Sequence, residues 1–261
     1  RWYYVLRHGR VGRRPLRPCD THPSFRSVRK PRPFGRGFLF PGAPPVGYNA
    51  VSSTGGQHAM HLTHLIIDDF FQDPDAIRRQ ALSLAYPPRP PRAAYPGRNA
   101  EAPLTLPGLD RLVGEIVHEP VMAADYASHC VPRIALQGDV ATANVHIDFN
   151  HWSAIVYLTP DEHCQDGTHF FRHRATGLDR APVFPGEAEA AGFGSSREAV
   201  KSILDADGAD PAAWERTMTI PMKYNRLALF RGYLWHDAGT SFGDRAETGR
   251  LILPFFFETR M

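Results

Sequence analysis

Cysteine is scarce in this chain of 261 residues: Cys19, Cys130 and Cys164 are odd in number and far apart. They form no C-x-x-C pair, which argues against a disulfide framework and against a thiolate zinc knuckle. A reducing cytoplasm is the simplest setting for such a chain. Long apolar runs are also missing, and nothing approaches the roughly 18 residues needed to span a membrane as a helix. Lysine is almost absent, with 3 against 27 arginines. Methionine does not occur before Met60. What the chain does have is 24 prolines and 22 glycines, a turn-rich supply that favours a β-leaning architecture over a helical bundle.

The net charge of +3 hides an asymmetry. Residues 1–50 hold eleven Lys or Arg and one acid, Asp20, a balance of +10, so the remainder carries 3 − 10 = −7. That basic stretch is rich in proline and glycine and has no periodicity. Two readings stay open. Residues 1–59 are expected to be an N-terminal extension without stable structure, outside the native start, with a nucleic-acid-binding arm as the alternative. The acidic balance of the rest argues against DNA or RNA as a substrate of the folded part.

Residues 60–261 read as one domain. Leu65–Ile67 is a short β-like run. Asp73 is then placed to cap a helix, with Pro74 at its first position and Asp75 in its first turn. "LDRLVGEIVHEPVM", 109–122, has helical spacing. From about residue 126 the character changes to short β runs, "RIALQ", "TANVHIDF", "SAIVYLT", "THFFRH", "RLALF", "YLWH" and "RLILPFFF", divided by turn residues. An insertion at 174–213 holds a helix capped by Ser195 and Glu198 and a second helical start at Asp210–Pro211. Helices first and about eight strands after them predict a mainly β protein with flanking helices (α+β), a helix-supported β-sandwich or jelly roll. Pro254, inside the last run, predicts an edge strand or a bulge.

In "VHIDFNH", 145–151, strand alternation would turn His146 and Asp148 to one face and Val145, Ile147 and Phe149 into a core. A histidine and a carboxylate on one face make half a metal site. His236 ends a later β run, where an antiparallel sandwich can bring it opposite His146. Two imidazoles and one carboxylate form a facial triad, which suits Fe(II) and leaves cis positions open.

The ordered set H-x-D, "AIVYLT", "DGTHFF", "NRLALFRGYLWH" and "GRLILPFFF" resembles the 2-oxoglutarate- and Fe(II)-dependent dioxygenases, in their prolyl-hydroxylase-like branch. "YPGRNA", "GTHFFRHRATG" and "MKYNRLALFRG" look more narrowly like an uncharacterised bacterial DUF6445-like group. The resemblance covers residues 62–259. It implies a double-stranded β-helix (jelly roll, cupin-like) and Fe(II) held by His146, Asp148 and His236, the catalytic set. It also implies a basic residue for the far carboxylate of 2-oxoglutarate. Arg250 begins the right strand, whereas Arg245 lies nearer the spacing usual in prolyl hydroxylases, so both stand as candidates. Tyr157 matches a tyrosine that helps hold the same carboxylate, its alternative being a core residue. Thr168 and Phe170 match a G-T-x-F segment and read as packing. His151 falls on the wrong face, and His169, Arg172, His173 and Arg174 read as a basic strand end or a substrate contact.

The activity implied is hydroxylation, or an oxidation such as desaturation, of a small molecule or an amino-acid or peptidyl side chain. Dioxygen and 2-oxoglutarate are the co-substrates, and succinate and CO₂ are products. A carboxylate at 148 argues against halogenation. No membrane or nucleic-acid partner is expected. The insertion at 174–213 is expected to act as a lid. The rival is a cupin-like jelly roll that binds a metal or ligand without oxidising anything.

Overall fold

The computed structural model describes residues 61–88, 95–125, 128–140 and 144–260. The expectation for residues 1–59 lies outside them. Among the described residues, ten strands and four α-helices follow in the order β1 (His64–Ile67), α1 (Pro74–Leu82), β2 (Arg98–Asn99), α2 (Leu109–Val117), β3 (Val121–Ala123), β4 (Arg133–Ala135), β5 (Trp152–Tyr157), β6 (Gly167–His173), α3 (Glu187–Ala190), α4 (Ser196–Asp207), β7 (Trp214–Pro221), β8 (Leu227–Arg231), β9 (His236–Asp237) and β10 (Arg250–Thr259). All strand pairs are antiparallel. Seven strands form one sheet, ordered β1-β8-β5-β10-β4-β2 with β3 also on β10, and β7-β6-β9 form a second. No helix among the described residues is long and apolar enough to cross a membrane.

Alternation along the central strands divides two cores. Leu227 and Leu229 of β8, Trp152, Ala154 and Val156 of β5, and Leu251, Leu253, Phe255 and Phe257 of β10 pack with Ile77 and Ala81 of α1 and Leu109, Val113 and Val117 of α2. The opposite face of the same strands, through Tyr157, Ala228, Phe230 and Ile252, packs with Phe170 and Ile220 of the smaller sheet. Burial on both faces is why "RLALF" and "RLILPFFF" read as continuous apolar runs.

Local signals read in the sequence set the helix starts. The Asp73 carboxylate accepts the Ala76 N–H at 2.9 Å, with Pro74 next in line, and the Ser195 hydroxyl accepts the Glu198 N–H at 3.2 Å. Asn225, at φ +60°, exchanges two 2.8 Å bonds with the backbone of Phe71 and so ties the start of β8 to the turn before α1.

Three expectations are corrected. The helix over 109–122 stops at Val117, where His118 turns left-handed at φ +57°, and 121–123 is a strand on β10. The Asp210–Pro211 start yields one short 3₁₀ turn, Pro211–Ala213. Pro254 lies in an interior strand, opposite Ile155. Its carbonyl accepts from Cys130, while β4 pairs only with residues 250–252 and β3 only with 257–259. The missing N–H therefore falls in the gap between two short strands, where no ladder bond is lost.

Candidate metal centre

Residues 145–149 do not form a regular ladder strand, yet 145–148 are extended and pinned. His146 donates its N–H to the His236 carbonyl at 2.9 Å, His236 returns one at 3.0 Å, and Asp148 donates to Gly232 at 2.8 Å. Val145 and Ile147 turn away and are buried with Val200 and Ile203 of α4, Trp214 of β7, and Trp235. The insertion helix α4 thus braces the stretch from behind. Phe149, expected in the core, is 77% exposed because the alternation breaks after Asp148.

His146, Asp148 and His236 converge, one ligand atom from each lying within 4.8 Å of the others. The two rings are 4.3 Å apart. His146 Nδ1 faces the Asn144 carbonyl at 3.1 Å and His236 Nδ1 faces the Leu234 carbonyl at 2.8 Å. A carbonyl fixes each Nδ1 as a donor, so in the neutral ring the Nε2 lone pair is the one left for a metal. Burial and the neighbouring His236 push His146 down to about 4. Burial works to raise Asp148, but its bond with His236 and the charges of both imidazoles hold it at about 2. Burial likewise works to lower His236, and Asp148 outweighs it and raises it.

Facing rows of side chains set this cluster in the fold. Met218, Phe170, His236 and His146 are register partners across the smaller sheet, and His64, Phe230 and Ser153 across the larger. The rows meet at His64–Phe170 (ring centroids 4.4 Å), Phe230–His236 (4.8 Å) and Ser153–Asp148 (2.5 Å). Of the cluster, His146 also lines a cavity of about 410 Å³, with Tyr95, Asp139, Asn144, Asp237 and Thr240 among others.

Deeper between the sheets, Tyr157 and Arg250 share a face, since Tyr157 is opposite Ile252 and Arg250 lies two residues from it. The Tyr157 hydroxyl meets Thr168 Oγ1 at 2.7 Å, and burial raises its pKa. Arg250 is 2% exposed, and its Nε and Nη2 have no hydrogen-bond partner among the described residues. Two unmade bonds on a buried guanidinium are costly, so this is the atom pair that asks for an anion.

The chain matches the family model described as "Family of unknown function (DUF6445)" over residues 54–257. It belongs to the DUF6445 family. No curated protein matches it. Among solved structures, HygX from Streptomyces hygroscopicus with nickel and 2-oxoglutarate bound is 14% identical, covering 76% of this chain and 84% of that one, at a TM-score of 0.43. An oxidoreductase of the 2OG-Fe(II) oxygenase family from Burkholderia pseudomallei is 13% identical, over 75% and 84%, at 0.38. A Pseudomonas putida prolyl-4-hydroxylase is 14% identical, over 76% and 94%, at 0.33.

Other candidates in this DUF6445 chain do not join the cluster. Arg245 is 62% exposed and pairs with Asp244 at 3.2 Å. His151 Nε2 sits 2.6 Å from Glu119. The basic run in β6 is split by strand alternation: His169 contacts Asp166 (2.6 Å) and Asp237 (3.0 Å), His173 contacts Asp207 (2.9 Å), and Arg172 faces Glu215 at 3.5 Å. Sequence reasoning missed Ser153 and Asn150, which stand behind Asp148, and Gly232. A Cβ on Gly232 would lie 2.3 Å from the Asn150 carbonyl and 2.8 Å from that of Asp148. Gly232→Ala is therefore expected to cost about 2–3 kcal/mol of stability by overpacking. It should also weaken metal binding in a calorimetric titration, and unchanged values for both would refute the close approach.

Proposed function

We propose that the protein is an Fe(II)- and 2-oxoglutarate-dependent dioxygenase on a double-stranded β-helix, hydroxylating a small molecule or an amino-acid or peptidyl side chain. One observation carries the reading. Ligand atoms of His146, Asp148 and His236 gather within 4.8 Å of one another, and the same fold buries Arg250, on the inward face of β10, with two nitrogens that have no partner among the described residues. The donor set fits the metal: two imidazoles and one carboxylate are a facial triad for Fe(II), with no thiolate to favour structural zinc. The arginine fits the co-substrate, because its planar fork bonds a carboxylate through two parallel N–H groups.

In this reading His146, Asp148 and His236 would hold Fe(II). Arg250 would take the far carboxylate of 2-oxoglutarate, with the Tyr157 hydroxyl beside it, oriented by Thr168. Fe(II) with 2-oxoglutarate would, when bound, let dioxygen act as the oxidant, one oxygen atom hydroxylating an unactivated C–H bond and the other going into succinate as 2-oxoglutarate loses CO₂. The chain's own work is orientation and exclusion of water. Phe170 and Phe230 wall the cluster on its inner side, and α4 and its neighbours brace the metal-binding stretch from behind. The domain is residues 60–261, with the 174–213 insertion part of it. Its lid role is kept as a proposal, resting on the insertion's length and glycines. Substrate is assigned to the cavity at His146, whose described lining offers Asp139, Asp237, Asn144, Thr240 and Tyr95. That lining suits a polar molecule rich in hydrogen-bond donors.

The test is an anaerobic titration of the protein with Fe(II) and 2-oxoglutarate, followed by the weak visible charge-transfer band of the chelate. Wild type is expected to show the band, His236→Ala to lose it, and Arg250→Ala to require at least tenfold more 2-oxoglutarate. A well-folded, iron-loaded wild type without the band would favour the non-oxidising cupin-like alternative.

A further inference from the structure

Asp148 does not stand alone behind the cluster. Its Oδ2 accepts the Ser153 hydroxyl at 2.5 Å, and Ser153 Oγ in turn accepts the Asn150 Nδ2–H at 3.0 Å. Ser153 and Asn150 are 1% and 4% exposed, so no water competes with either bond. The direction of the chain is fixed by donor counting. An amide N–H enters the serine oxygen, and the serine's single proton is left for the only anion in reach, the Asp148 carboxylate. The alternative return from Ser153 to Asn150 Oδ1 is longer, at 3.4 Å. Serine is also the side chain that fits. Ser153 starts the inward row of the larger sheet beside Phe230, and the strand on its other side places Phe256 opposite it.

We infer that Ser153 is a positioning residue: its hydroxyl holds Asp148 Oδ2, the carboxylate oxygen 3.5 Å from His236 Nε2, and so fixes the rotation at which the carboxylate would meet the metal. This rests on the proposed reading of the His-Asp-His cluster. A carboxylate free to rotate about its Cβ–Cγ bond must be ordered when the metal binds. A carboxylate held by the serine hydroxyl already faces the two imidazoles, so that ordering is done before the metal arrives. Asn150 aims the hydroxyl, and the Asp148 N–H bond to Gly232 fixes the backbone from which the carboxylate projects. Groups of this kind behind a metal ligand commonly tune affinity by about 10–100-fold.

The experiment substitutes Co(II) for iron under anaerobic conditions and reads both affinity and the visible ligand-field spectrum, for wild type, Ser153→Ala and Ser153→Cys. Cysteine keeps the volume of the site but is a weak donor, so it reports on the bond if alanine disturbs packing. Both variants are expected to bind Co(II) about tenfold or more weaker and to show a changed ligand-field spectrum. A merely structural serine would shift the melting temperature and leave the spectrum of bound Co(II) as in wild type. Wild-type affinity and spectrum in both variants overturn the inference alone. Failure of the wild type itself to bind Co(II) overturns the inference and the metal reading together.

Discussion

Arg250→Met is expected to raise the melting temperature of the metal-free protein and to abolish the further rise that 2-oxoglutarate gives the metal-loaded wild type. Arg250 carries its charge into the intersheet core with Nε and Nη2 unpaired. Burial depresses its pKa, the direction expected of a cation taken out of water without a partner. Replacing such a group by an apolar side chain of similar length is commonly stabilising, here by about 2 kcal/mol, or on the order of 5 °C for a domain of this size. Binding reverses the comparison. A co-substrate present at 100 times its dissociation constant stabilises the wild type by about 2.7 kcal/mol. Losing a charge-paired, two-point contact costs about 3 kcal/mol, roughly 100-fold in affinity, which leaves about 0.4 kcal/mol of ligand stabilisation at the same concentration. Differential scanning fluorimetry with Ni(II), with and without 2-oxoglutarate, measures both effects. A variant less stable than wild type that keeps its full shift with 2-oxoglutarate would show that Arg250 is a structural cation.

How far this site was legible in the sequence depends on how local its determinants are. His146 and Asp148 could be paired because i and i+2 in an extended chain share a face, and the structure keeps them extended although no regular ladder forms there. His236 could be placed because it lies in the same β-rich region, although it begins the short strand β9 rather than ending one. Arg250 against Arg245 could not be decided by spacing. Burial is what separates them in the structure, since Arg245 lies in the exposed loop before β10 while Arg250 is the first residue inside the strand. Phe149 was misread because alternation was carried one residue past the point where the chain turns. Pro254 was misread because a strand's position in the sheet depends on partners far away in sequence. Ser153, Asn150 and Gly232 left no signal at all. Serine, asparagine and glycine are ordinary turn residues, and only the fold shows that their atoms meet the backbone or side chain of Asp148.

Glu119→Ala is the substitution expected to cost most in stability, although the residue lies outside the metal cluster. Glu119 Oε1 is 2.5 Å from Arg231 Nη2. Its Oε2 is 3.1 Å from Arg231 Nη1 and also accepts Trp152 Nε1 at 3.0 Å. Arg231, 3% exposed at its side chain, lies 3.9 Å over the Trp152 ring, with His151 Nε2 at 2.6 Å. Truncating the glutamate leaves that guanidinium buried without its counter-ion. The expected loss is about 3–5 kcal/mol, or roughly 10 °C in melting temperature. The same network gives an acid signature. Burial works to raise the Glu119 pKa, but its bonds with Arg231, Trp152 and His151 win and hold it at about 2, below the ordinary 4.5. A depressed carboxylate stabilises fully above its unfolded pKa, so wild type loses this contribution as pH falls from about 4.5 towards about 2. Glu119→Gln, with nothing to titrate there, lacks that component of the decline. The network also reaches the cluster. Arg231 precedes Gly232, whose carbonyl holds the Asp148 N–H, and Trp152 precedes Ser153, whose hydroxyl holds the Asp148 carboxylate. Stability and Co(II) affinity should therefore fall together in Glu119→Ala. A melting temperature within about 2 °C of wild type would show that the ion pair is dispensable. A large fall in stability with unchanged Co(II) affinity would show that Asp148 is held by its immediate neighbours alone.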